Sequence, residues 1–451
     1  MNFRIVGSAV AMLPLATAAA QSQGAPVLAP QVDHHQHLLS PMLAATLSEP
    51  VPAAIELPPE LHRRFREAAP RFDDAAAIAE LYTEDAVLVF SPGMVPEKWV
   101  RGRQRIGSHL AGAFRRQYTF TPLAFSVHDS TGYIAGYLSG LPRHFSVLLS
   151  LRKCGDGAWR IAAESMTFAP PPTLEPVTAD RLVAQLDSAG IRRALVLSLA
   201  YIHGSPSIRG DDEDAEYARV RGENDWTRQQ VARYPGRLRA FCSVNPLRAY
   251  ALTELDRCAR DPSLGSGLKL HFANSQVDLR NAEHVEQLRR VFRAAEVHRM
   301  PIVVHVWSGD ERIGKPYGRA EARVFLNEVL PAAPHIPIQI AHLSGAGPGL
   351  DPGSKEALVV FADAISAGDP RTRNLYFDVT TSVTIRTPVE EARFIAARLR
   401  QIGLRRILYG SDMAIGGNPT ARQSWGAFRA MLPLTEAEFR TIADNVAPYV
   451  R

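Results

Sequence analysis

The stretch Val32–Leu38, with the sequence VDHHQHL, places two histidines two residues apart after an apolar residue. Side chains alternate between the two faces of a β-strand, so Asp33, His35 and His37 would share one face of a strand here. Two imidazoles on one face near the end of a strand are a ready pair of metal ligands. A polar loop rich in histidine is the alternative interpretation of so short a stretch. The remainder of the chain decides between the two.

Seven further apolar segments, nearly all followed by a predicted helix, are typical of buried parallel strands, as Ile302-Val303-Val304 illustrates. Eight strand–helix units close most naturally into a (β/α)8 barrel. An open doubly wound sheet is the alternative, although no Gly-rich turn follows the first strand to favour it. The eight predicted strands are Gln31–Leu39, Ala194–Ser198, Leu238–Val244, Gly267–His271, Pro301–Val306, Ile338–His342, Leu375–Val379 and Arg406–Tyr409.

A self-contained block, residues 55–172, interrupts this pattern after the first strand, and residues 173–451 continue it. Leu61, Phe65 and Phe72 have helical spacing, and further helices are predicted over residues 75–82 and 104–114. Helices followed by an antiparallel meander are typical of an α+β domain. The predicted strands are Ala86–Phe90, Tyr118–His128, Gly132–Leu138, Phe145–Lys153 and Trp159–Thr167. Because the connection after a barrel strand leaves on the catalytic face, the block is expected beside or over the mouth of the barrel.

Residues 1–20 have the pattern of a secretory signal peptide, with Arg4, an apolar run over residues 5–16 and small residues at 18–20. A disordered start on a cytosolic protein is the alternative. The signal predicts a secreted or periplasmic protein, with residues 21–50 forming a leader and the first strand. We expect no membrane anchoring after the signal is removed, because no other transmembrane candidate occurs in the sequence.

The composition is that of an ordinary globular protein, with 46% hydrophobic and 22% charged residues and a formal net charge of +5. The basic residues do not form one long run, so no nucleic-acid partner is indicated. Cys154, Cys242 and Cys258 lie far apart and lack CxxC spacing. One disulfide is conceivable in an oxidising compartment, but buried free thiols are the expected state.

Polar residues recur at the ends of the predicted strands, where a barrel brings distant parts of the chain together. Several such residues on separate strands, each after an apolar run, predict a shared metal site. Asp378 and Asn245, near two other strand ends, are candidates for orienting the ligands. The strand-end residues are His35 and His37 on strand 1, Lys269 and His271 on strand 4, His305 on strand 5, His342 on strand 6 and Asp412 just after strand 8.

These motifs, in this order, resemble the amidohydrolase superfamily, and most closely the amidohydrolase-related branch that also contains nonoxidative decarboxylases. The matching stretches are Asp33–His37, Gly267–His271, Ile302–His305, Ile340–His342 and Leu408–Asp412. The resemblance implies that His35, His37 and His305 bind one divalent metal, with Asp412 completing the set. Imidazoles with one carboxylate suit zinc and leave a position open for water.

By the same resemblance, Asp412 takes the proton from water and passes it on, while His342 polarises the substrate oxygen or binds a second metal. In some members of the superfamily a lysine on strand 4 is carbamylated and bridges two metals. In the branch that this chain resembles it is not generally a ligand. One metal is therefore expected, with Lys269 and His271 as the substrate-binding residues; Lys269 either binds an anionic group of the substrate or orders the site.

The block 55–172 resembles the SnoaL-like family of cone-shaped α+β domains. The resemblance rests on residues 78–87, the segment Val100–Arg103, and Gly157–Ala162. Such domains usually hold a pocket inside the cone. Tyr82, Asp85, Trp99 and His144 are candidates for a role in that pocket, but for each a purely structural role is the favoured interpretation.

Three functional hypotheses follow from the sequence. The leading one is a metal-dependent hydrolase that acts on an amide, ester or lactone-like bond of a small molecule. The second keeps the metal site and assigns it the decarboxylation of an aromatic or unsaturated acid. The third is a non-catalytic protein that binds a small ligand, against which the full set of metal residues argues. Each of the three hypotheses is compatible with an oligomer.

Overall fold

The computed structural model describes residues 28–48, 53–63, 74–91, 98–113, 119–140, 143–169, 173–208, 212–309, 315–347, 349–413 and 418–450. The predicted signal peptide, residues 1–20, lies outside this part of the chain. Among the described residues, no helix combines the length and the apolar character that a membrane-spanning helix needs.

The histidine stretch forms the first barrel strand, β1 (Val32–Gln36), which is buried along its whole length. Helix α1 (Pro41–Leu47) follows at once, and the side chain of Ser40 accepts the backbone N–H of Leu43 at 3.0 Å. Pro41 loses no hydrogen bond there, because the first N–H groups of a helix have no partner within the helix. The stretch is thus a strand followed by a capped helix rather than a polar loop.

The chain then forms a second unit with its own sheet before it returns to the barrel. Its elements are α2 (Pro59–Leu61), α3 (Ala75–Ala79), β2 (Tyr82–Ser91), β3 (Lys98–Arg101), α4 (Arg103–Ala113), β4 (Thr119–His128), β5 (Thr131–Gly140), β6 (Arg143–Lys153) and β7 (Trp159–Ala169). The six strands lie in the order β3-β2-β7-β6-β5-β4, and all neighbours are antiparallel except β2 and β7. One face packs with α3 and α4 into a core that is separate from the barrel core. The insertion is therefore an α+β domain, as predicted.

Two local predictions in the insertion are wrong. The helix predicted over residues 75–82 ends at Ala79, and β2 begins at Tyr82, four residues earlier than predicted. The alanines favour a helix, but Tyr82 and Thr83 favour a strand, since aromatic and β-branched side chains pack well on a sheet. The short strand β3 was not predicted. Of the three predicted helical positions at Leu61, Phe65 and Phe72, the last two lie outside the described residues.

The rest of the chain alternates helices with parallel strands. Its elements are α5 (Ala179–Ala189), β8 (Arg193–Leu197), α6 (Glu213–Ala232), β9 (Leu238–Ser243), α7 (Ala251–Arg260), β10 (Leu268–His271), α8 (Ala282–Val297), β11 (Ile302–His305), α9 (Arg319–Val324), β12 (Ile338–Ile340), α10 (Pro352–Ser366), β13 (Leu375–Asp378), α11 (Val389–Ile402), β14 (Ile407–Leu408), α12 (Ala421–Met431) and α13 (Glu436–Asp444). Together with β1, the seven strands β8 to β14 form one parallel sheet in chain order.

Two backbone hydrogen bonds join the two ends of this sheet. The N–H of His34 donates to the carbonyl of Tyr409 at 2.8 Å, and the N–H of Asp412 donates to the carbonyl of His35 at 2.9 Å. These bonds close the sheet into a barrel and hold the segment after β14 against β1. The predicted (β/α)8 barrel, interrupted after its first strand by an α+β domain, is confirmed.

The insertion leaves and re-enters the barrel at the carboxyl end of β1. Leu39 and Val177 exchange two backbone hydrogen bonds there, at 3.1 and 2.9 Å. The side chain of Ser48 accepts the N–H of Leu174 at 2.8 Å. This paired stem places the start of the insertion on the side of the barrel where strand ends carry catalytic residues. Its extension over the mouth stays a prediction.

Cys242 of β9 and Cys258 of α7 form a disulfide with their Cα atoms 6.2 Å apart, while Cys154 is free. The expectation of free thiols is wrong for this pair. The two cysteines have a sequence separation of only 16. Helix α7 folds back onto β9 directly after the strand, and this brings both sulfurs into the barrel core.

Replacing both Cys242 and Cys258 by alanine is expected to lower the free energy of unfolding by roughly 2–3 kcal/mol, because a bridge of this length restricts the unfolded chain. Urea denaturation of the oxidised wild type and of the double variant measures the difference. Cys154→Ala is the control and should change little. Equal stabilities for wild type and double variant would contradict the prediction.

A buried carboxyl group lies in the core of the insertion. Glu164 accepts a hydrogen bond from the hydroxyl of Tyr82, and both side chains are almost fully buried. Burial raises the pKa of Glu164 to about 7, although the Tyr82 hydrogen bond acts in the opposite direction. Folding therefore favours the protonated carboxyl group.

Because the pKa of Glu164 is higher in the folded state, its contribution to stability is greatest below about pH 4.5 and is lost as the pH rises through 7. We expect the free energy of unfolding of the insertion to fall by roughly 3 kcal/mol between pH 4.5 and pH 8. Glu164→Gln should remove most of this pH dependence. Hydrogen exchange of the insertion at both pH values measures this. Glu84→Gln, on the surface of the same sheet, is the control and should keep the pH dependence of the wild-type stability. An equally steep loss of stability with pH in Glu164→Gln would refute the assignment of this dependence to Glu164.

Candidate metal centre

The predicted site residues converge at the carboxyl end of the barrel. The ligand atoms of His35, His342 and Asp412 lie within 4.8 Å of one another. Nε2 of His37 lies 3.5 Å from Oδ1 of Asp412, and the ring of His305 is centred 4.8 Å from that of His342. All five side chains are largely buried. The fold thus gathers, from four segments of the chain, the imidazoles and the carboxylate that the sequence pattern singled out.

Three of these histidines are oriented through their Nδ1 atoms. Nδ1 of His35 contacts a carboxylate oxygen of Asp378 at 3.0 Å. Nδ1 of His37 lies 2.6 Å from the carbonyl of Leu197, and Nδ1 of His342 lies 3.1 Å from the carbonyl of Thr380. A proton on each Nδ1 satisfies these contacts and leaves each Nε2 as a lone-pair donor. Metal-binding histidines are typically held in this way.

The electrostatics of the cluster also fit a cation. Burial lowers the pKa of His35 to about 3, and it lowers the pKa values of His37 and His305 well below their usual range. Within the described part of the chain, His305 Nε2 and Asp412 Oδ1 are buried without a hydrogen-bond partner. Unpaired buried acceptors are costly unless a ligand satisfies them. Neutral imidazoles and one carboxylate are a donor set that suits a divalent metal.

Asp412 combines a strained backbone with an unusual carboxyl group. Burial raises its pKa to about 7, while the positive charge of nearby Lys269 acts in the opposite direction. Its φ of 52° lies in the left-handed region, which residues other than glycine rarely adopt. The hydrogen bond from its N–H to the His35 carbonyl holds that conformation. Asp412 is thus fixed against β1 with its carboxylate facing the histidines.

The segment after β12 is also left-handed, and this corrects the prediction of a strand through His342. The strand ends at Ile340, and His342, Leu343 and Ser344 have φ values of 54°, 50° and 65°. Asp378 accepts the N–H of His342 at 2.9 Å and stabilises the turn. Strain of this kind costs of order 1 kcal/mol or more per residue and concentrates at functional sites.

Lys269 and His271, the predicted substrate-binding residues, lie on β10 next to the histidine cluster. Lys269 is almost fully buried, and its Nζ is 3.3 Å from Nε2 of His35. Burial lowers the pKa of Lys269 to about 8, although nearby carboxylates act in the opposite direction. The ring of His271 stacks on that of His305, with the centroids 4.0 Å apart. Both residues therefore border the site.

The two residues predicted to orient the ligands differ in what they contact. Asp378 contacts His35 and accepts the N–H of His342, as predicted for a residue that supports the ligands. Asn245 instead donates to the carbonyl of Gly204 at 2.7 Å and accepts the N–H of Leu247 at 2.9 Å. Its contacts therefore hold the loops that follow β8 and β9.

Several residues that border the site were missed. The ring of Tyr201 is centred 5.0 Å from that of His271, and the ring of Trp307 is centred 6.5 Å from that of His305. Trp307 also lies 6.4 Å from Tyr317. The hydroxyl of Tyr317 has no hydrogen-bond partner among the described residues. Tyr201 and Trp307 each lie a few residues after a barrel strand, so the strand-end argument could have found both.

The four candidate residues of the insertion do not share one pocket. Tyr82 lies in the core, whereas Asp85 is exposed and bonds Arg152 at 3.2 Å. Trp99 is 62% exposed, and His144 stacks on Tyr137. These contacts are those of ordinary structural and surface residues.

Known proteins resemble both the barrel and the insertion. A family model described as Amidohydrolase matches residues 200–445. The chain is similar to the 5-carboxyvanillate decarboxylase LigW from Sphingomonas paucimobilis, with 16% identity, a TM-score of 0.42, and coverage of 58% of this chain and 79% of that chain. It is also similar to LigW2 from Novosphingobium aromaticivorans DSM 12444, a structure with bound manganese, with 15% identity, a TM-score of 0.38 and coverage of 59% and 78%.

An NTF-2 like protein of unknown function from Silicibacter pomeroyi DSS-3 matches 24% of this chain and 89% of its own, with 15% identity and a TM-score of 0.20. No curated protein matches the chain.

Proposed function

This chain belongs to the amidohydrolase family, and from that membership we propose that it is a metal-dependent hydrolase of a small molecule with an amide, ester or lactone-like bond. The observation that carries the proposal is the meeting of the His35, His342 and Asp412 ligand atoms within 4.8 Å, with His37 Nε2 3.5 Å from Asp412 Oδ1 and the His305 ring centred 4.8 Å from that of His342. Burial leaves the imidazoles neutral, so they are ready to act as ligands.

In this proposal His35, His37, His305 and Asp412 hold one divalent metal, for which zinc is our choice. A divalent cation bound there would lower the pKa of a coordinated water to about 7 and polarise a substrate oxygen. Asp412, whose Oδ1 lies 3.5 Å from Nε2 of His37, takes up the proton of the attacking water and returns it to the leaving group. His342 donates to or polarises the substrate oxygen.

The substrate lies against Lys269 and His271 on one side and against Trp307 on the other. The buried ammonium of Lys269 suits an anionic group, and the indole suits a planar body. The hydroxyl of Tyr317, which has no hydrogen-bond partner within the described part of the chain, is available to a polar substituent. A small acid with a flat apolar body therefore fits the lining.

The position of Lys269 favours a second candidate function, nonoxidative decarboxylation. Its Nζ, 3.3 Å from His35 Nε2, would hold a substrate carboxylate beside the metal ligands. Asp412, when protonated, could then deliver the proton that replaces the carboxyl group. Because the same side chains serve both reactions, product analysis is needed to distinguish hydrolysis from decarboxylation.

The experiment combines metal quantification with a screen of amides, esters, lactones and aromatic acids. Hydrolysis predicts incorporation of one ¹⁸O from labelled water, whereas decarboxylation predicts release of carbon dioxide without such incorporation. His305→Ala should lose metal and activity together. Wild-type protein that binds neither zinc, manganese nor iron and gains nothing when they are added would refute both functions and favour a ligand-binding role.

We also propose that the protein is exported to the periplasm or secreted. The disulfide between Cys242 and Cys258 supports this, because disulfides persist in oxidising compartments. When the full chain is expressed in a bacterial host, fractionation should find the protein outside the cytoplasm, with residues 1–20 removed. An uncleaved cytoplasmic protein with reduced Cys242 would contradict the proposal.

A further inference from the structure

His271 carries its proton on the opposite nitrogen from three other histidines of the site. His35, His37 and His342 each place Nδ1 against an acceptor oxygen, at 3.0, 2.6 and 3.1 Å, so their Nε2 atoms have lone pairs. In His271 the arrangement is reversed, because Nδ1 accepts the backbone N–H of Asn274 at 3.3 Å. An imidazole nitrogen that accepts a hydrogen bond has no proton of its own. The proton of His271 therefore lies on Nε2.

The loop after β10 fixes this position of the proton. If Nδ1 of His271 carried it, two N–H donors would face each other at 3.3 Å. The competing acceptor for a proton at Nδ1 is the backbone carbonyl of His271 itself, which already accepts the N–H of Ser275 at 3.0 Å. Moving the proton to Nδ1 would therefore cost the N–H of Asn274 its acceptor.

The ring of His271 is also held in its orientation by packing. It stacks on the ring of His305, with the centroids 4.0 Å apart and the planes 17° apart. The ring of Tyr201 lies 5.0 Å from that of His271, and the N–H of Tyr201 is anchored to the hydroxyl of Ser243 at 3.1 Å. A donor that packing has already oriented needs no reorganisation when charge develops in front of it.

The Nε2–H group of His271 is available to a substrate. Within the described ranges of the chain, no side chain or carbonyl accepts a hydrogen bond from it, and the residue is partly exposed at the end of β10. Lys269 precedes His271 by two residues, so both side chains lie on the same face of the strand. Strand β10 thus presents one cationic donor and one neutral donor to the site.

His342 does not offer such a donor while it holds a single proton. That proton lies on Nδ1, toward the carbonyl of Thr380, so Nε2 can only accept a hydrogen bond or bind a cation. His342 could donate from Nε2 only after gaining a second proton. The role of a donor toward a substrate oxygen therefore falls to His271.

We propose that His271 is a catalytic residue whose Nε2–H donates a hydrogen bond to the substrate oxygen that becomes negative when water attacks the carbonyl carbon. The N–H bond stays intact, and the stabilisation comes from a fixed dipole that faces the developing charge. The identity of this oxygen rests on the proposed hydrolytic function, whereas the position of the proton on His271 does not.

The first test is NMR of the full chain with ¹⁵N-labelled histidine, with and without zinc. His271 should show an unprotonated Nδ1 and a protonated Nε2, and His271→Gln identifies its signals by their loss. His284, whose Nδ1 accepts the N–H of Asp278 at 3.0 Å, is the internal reference for this form. His34, whose Nε2 accepts the N–H of Ala447 at 3.2 Å, is the reference for the opposite form. A proton on Nδ1 of His271 overturns the proposal.

The second test is the hydrolysis of p-nitrophenyl acetate, an ester probe, by the full chain loaded with zinc. His271→Phe keeps a flat ring against His305 but has no donor, so kcat should fall roughly 100-fold while KM and zinc content change by less than about threefold. His271→Gln keeps an N–H near the position of Nε2 and should retain at least about a tenth of the wild-type kcat. His284→Phe, on α8, is the matched control and should behave as wild type.

A His271→Phe variant with the wild-type kcat overturns the proposal, and so does a rise in KM alone, which is the sign of a contact that binds substrate and transition state equally. Circular dichroism verifies that each variant is folded. If the zinc-loaded wild type hydrolyses neither this ester nor any compound of the screen, the proposed function fails and the catalytic role of His271 fails with it. The NMR result still shows where the proton lies, so the two failures are distinguishable.

Discussion

Replacing Asp412 by asparagine is expected to lower kcat by roughly a thousandfold at saturating metal, because a positioned general base contributes about 10²–10⁴-fold. Asparagine keeps the shape of the side chain and tolerates the left-handed backbone at this position, where φ is 52°. It removes the proton acceptor and the charge, and the fold should be retained. Steady-state kinetics on the substrate found by the screen measure the effect.

The metal requirement of the variant distinguishes the two proposed roles of Asp412, as general base and as metal ligand. Oδ1 of Asp412, which lies 3.5 Å from His37 Nε2, is also a predicted metal ligand, so the variant should require more metal for saturation. Asp444→Asn, at an exposed carboxyl group on α13, is the matched control and should behave as wild type. An Asp412→Asn variant that keeps more than a tenth of the wild-type kcat would exclude Asp412 as the base.

The second large effect is expected at Asp378, the buried carboxylate behind the histidines. It contacts Nδ1 of His35 at 3.0 Å and accepts from Gln339 Nε2 at 2.6 Å. It also accepts the N–H groups of His342 at 2.9 Å and Thr380 at 3.2 Å. Burial acts to raise the pKa of Asp378, but these contacts with His35 and His342 outweigh it and hold that pKa below its usual range.

Asp378→Ala leaves these donors buried without an acceptor, so the free energy of unfolding should fall by about 3–5 kcal/mol. Metal affinity should weaken by about 10–100-fold, because His35 loses the contact that fixes its ring. Urea denaturation of the metal-free protein gives the first quantity, and competition with a chelator gives the second. Asp378→Asn keeps part of the hydrogen bonding and should lie between alanine and wild type. Wild-type metal affinity in Asp378→Ala would show that His35 does not depend on it.

The strand-end pattern made much of the site predictable. His305 and Asp412 follow apolar runs, and parallel strands deliver such positions to one end of a barrel whatever their separation in sequence. The insertion could be recognised as a separate α+β unit because helices followed by an antiparallel meander interrupt the alternation of helices and short apolar strands. These features depend on local periodicity, which the sequence carries directly.

Other features depend on contacts between distant segments. The left-handed turn at His342 exists because Asp378, 36 residues away, accepts its N–H group. The approach of Tyr201 to His271 requires the segment after β8 to reach the end of β10. The pairing of Cys242 with Cys258 requires α7 to return onto β9, which spacing alone did not indicate.

The sequence by itself determined which residue types stand at the ends of which strands, because alternation and apolar runs are properties of neighbouring residues. Only the tertiary structure decided which of their atoms face one another, since barrel closure between β1 and the segment after β14 sets those distances.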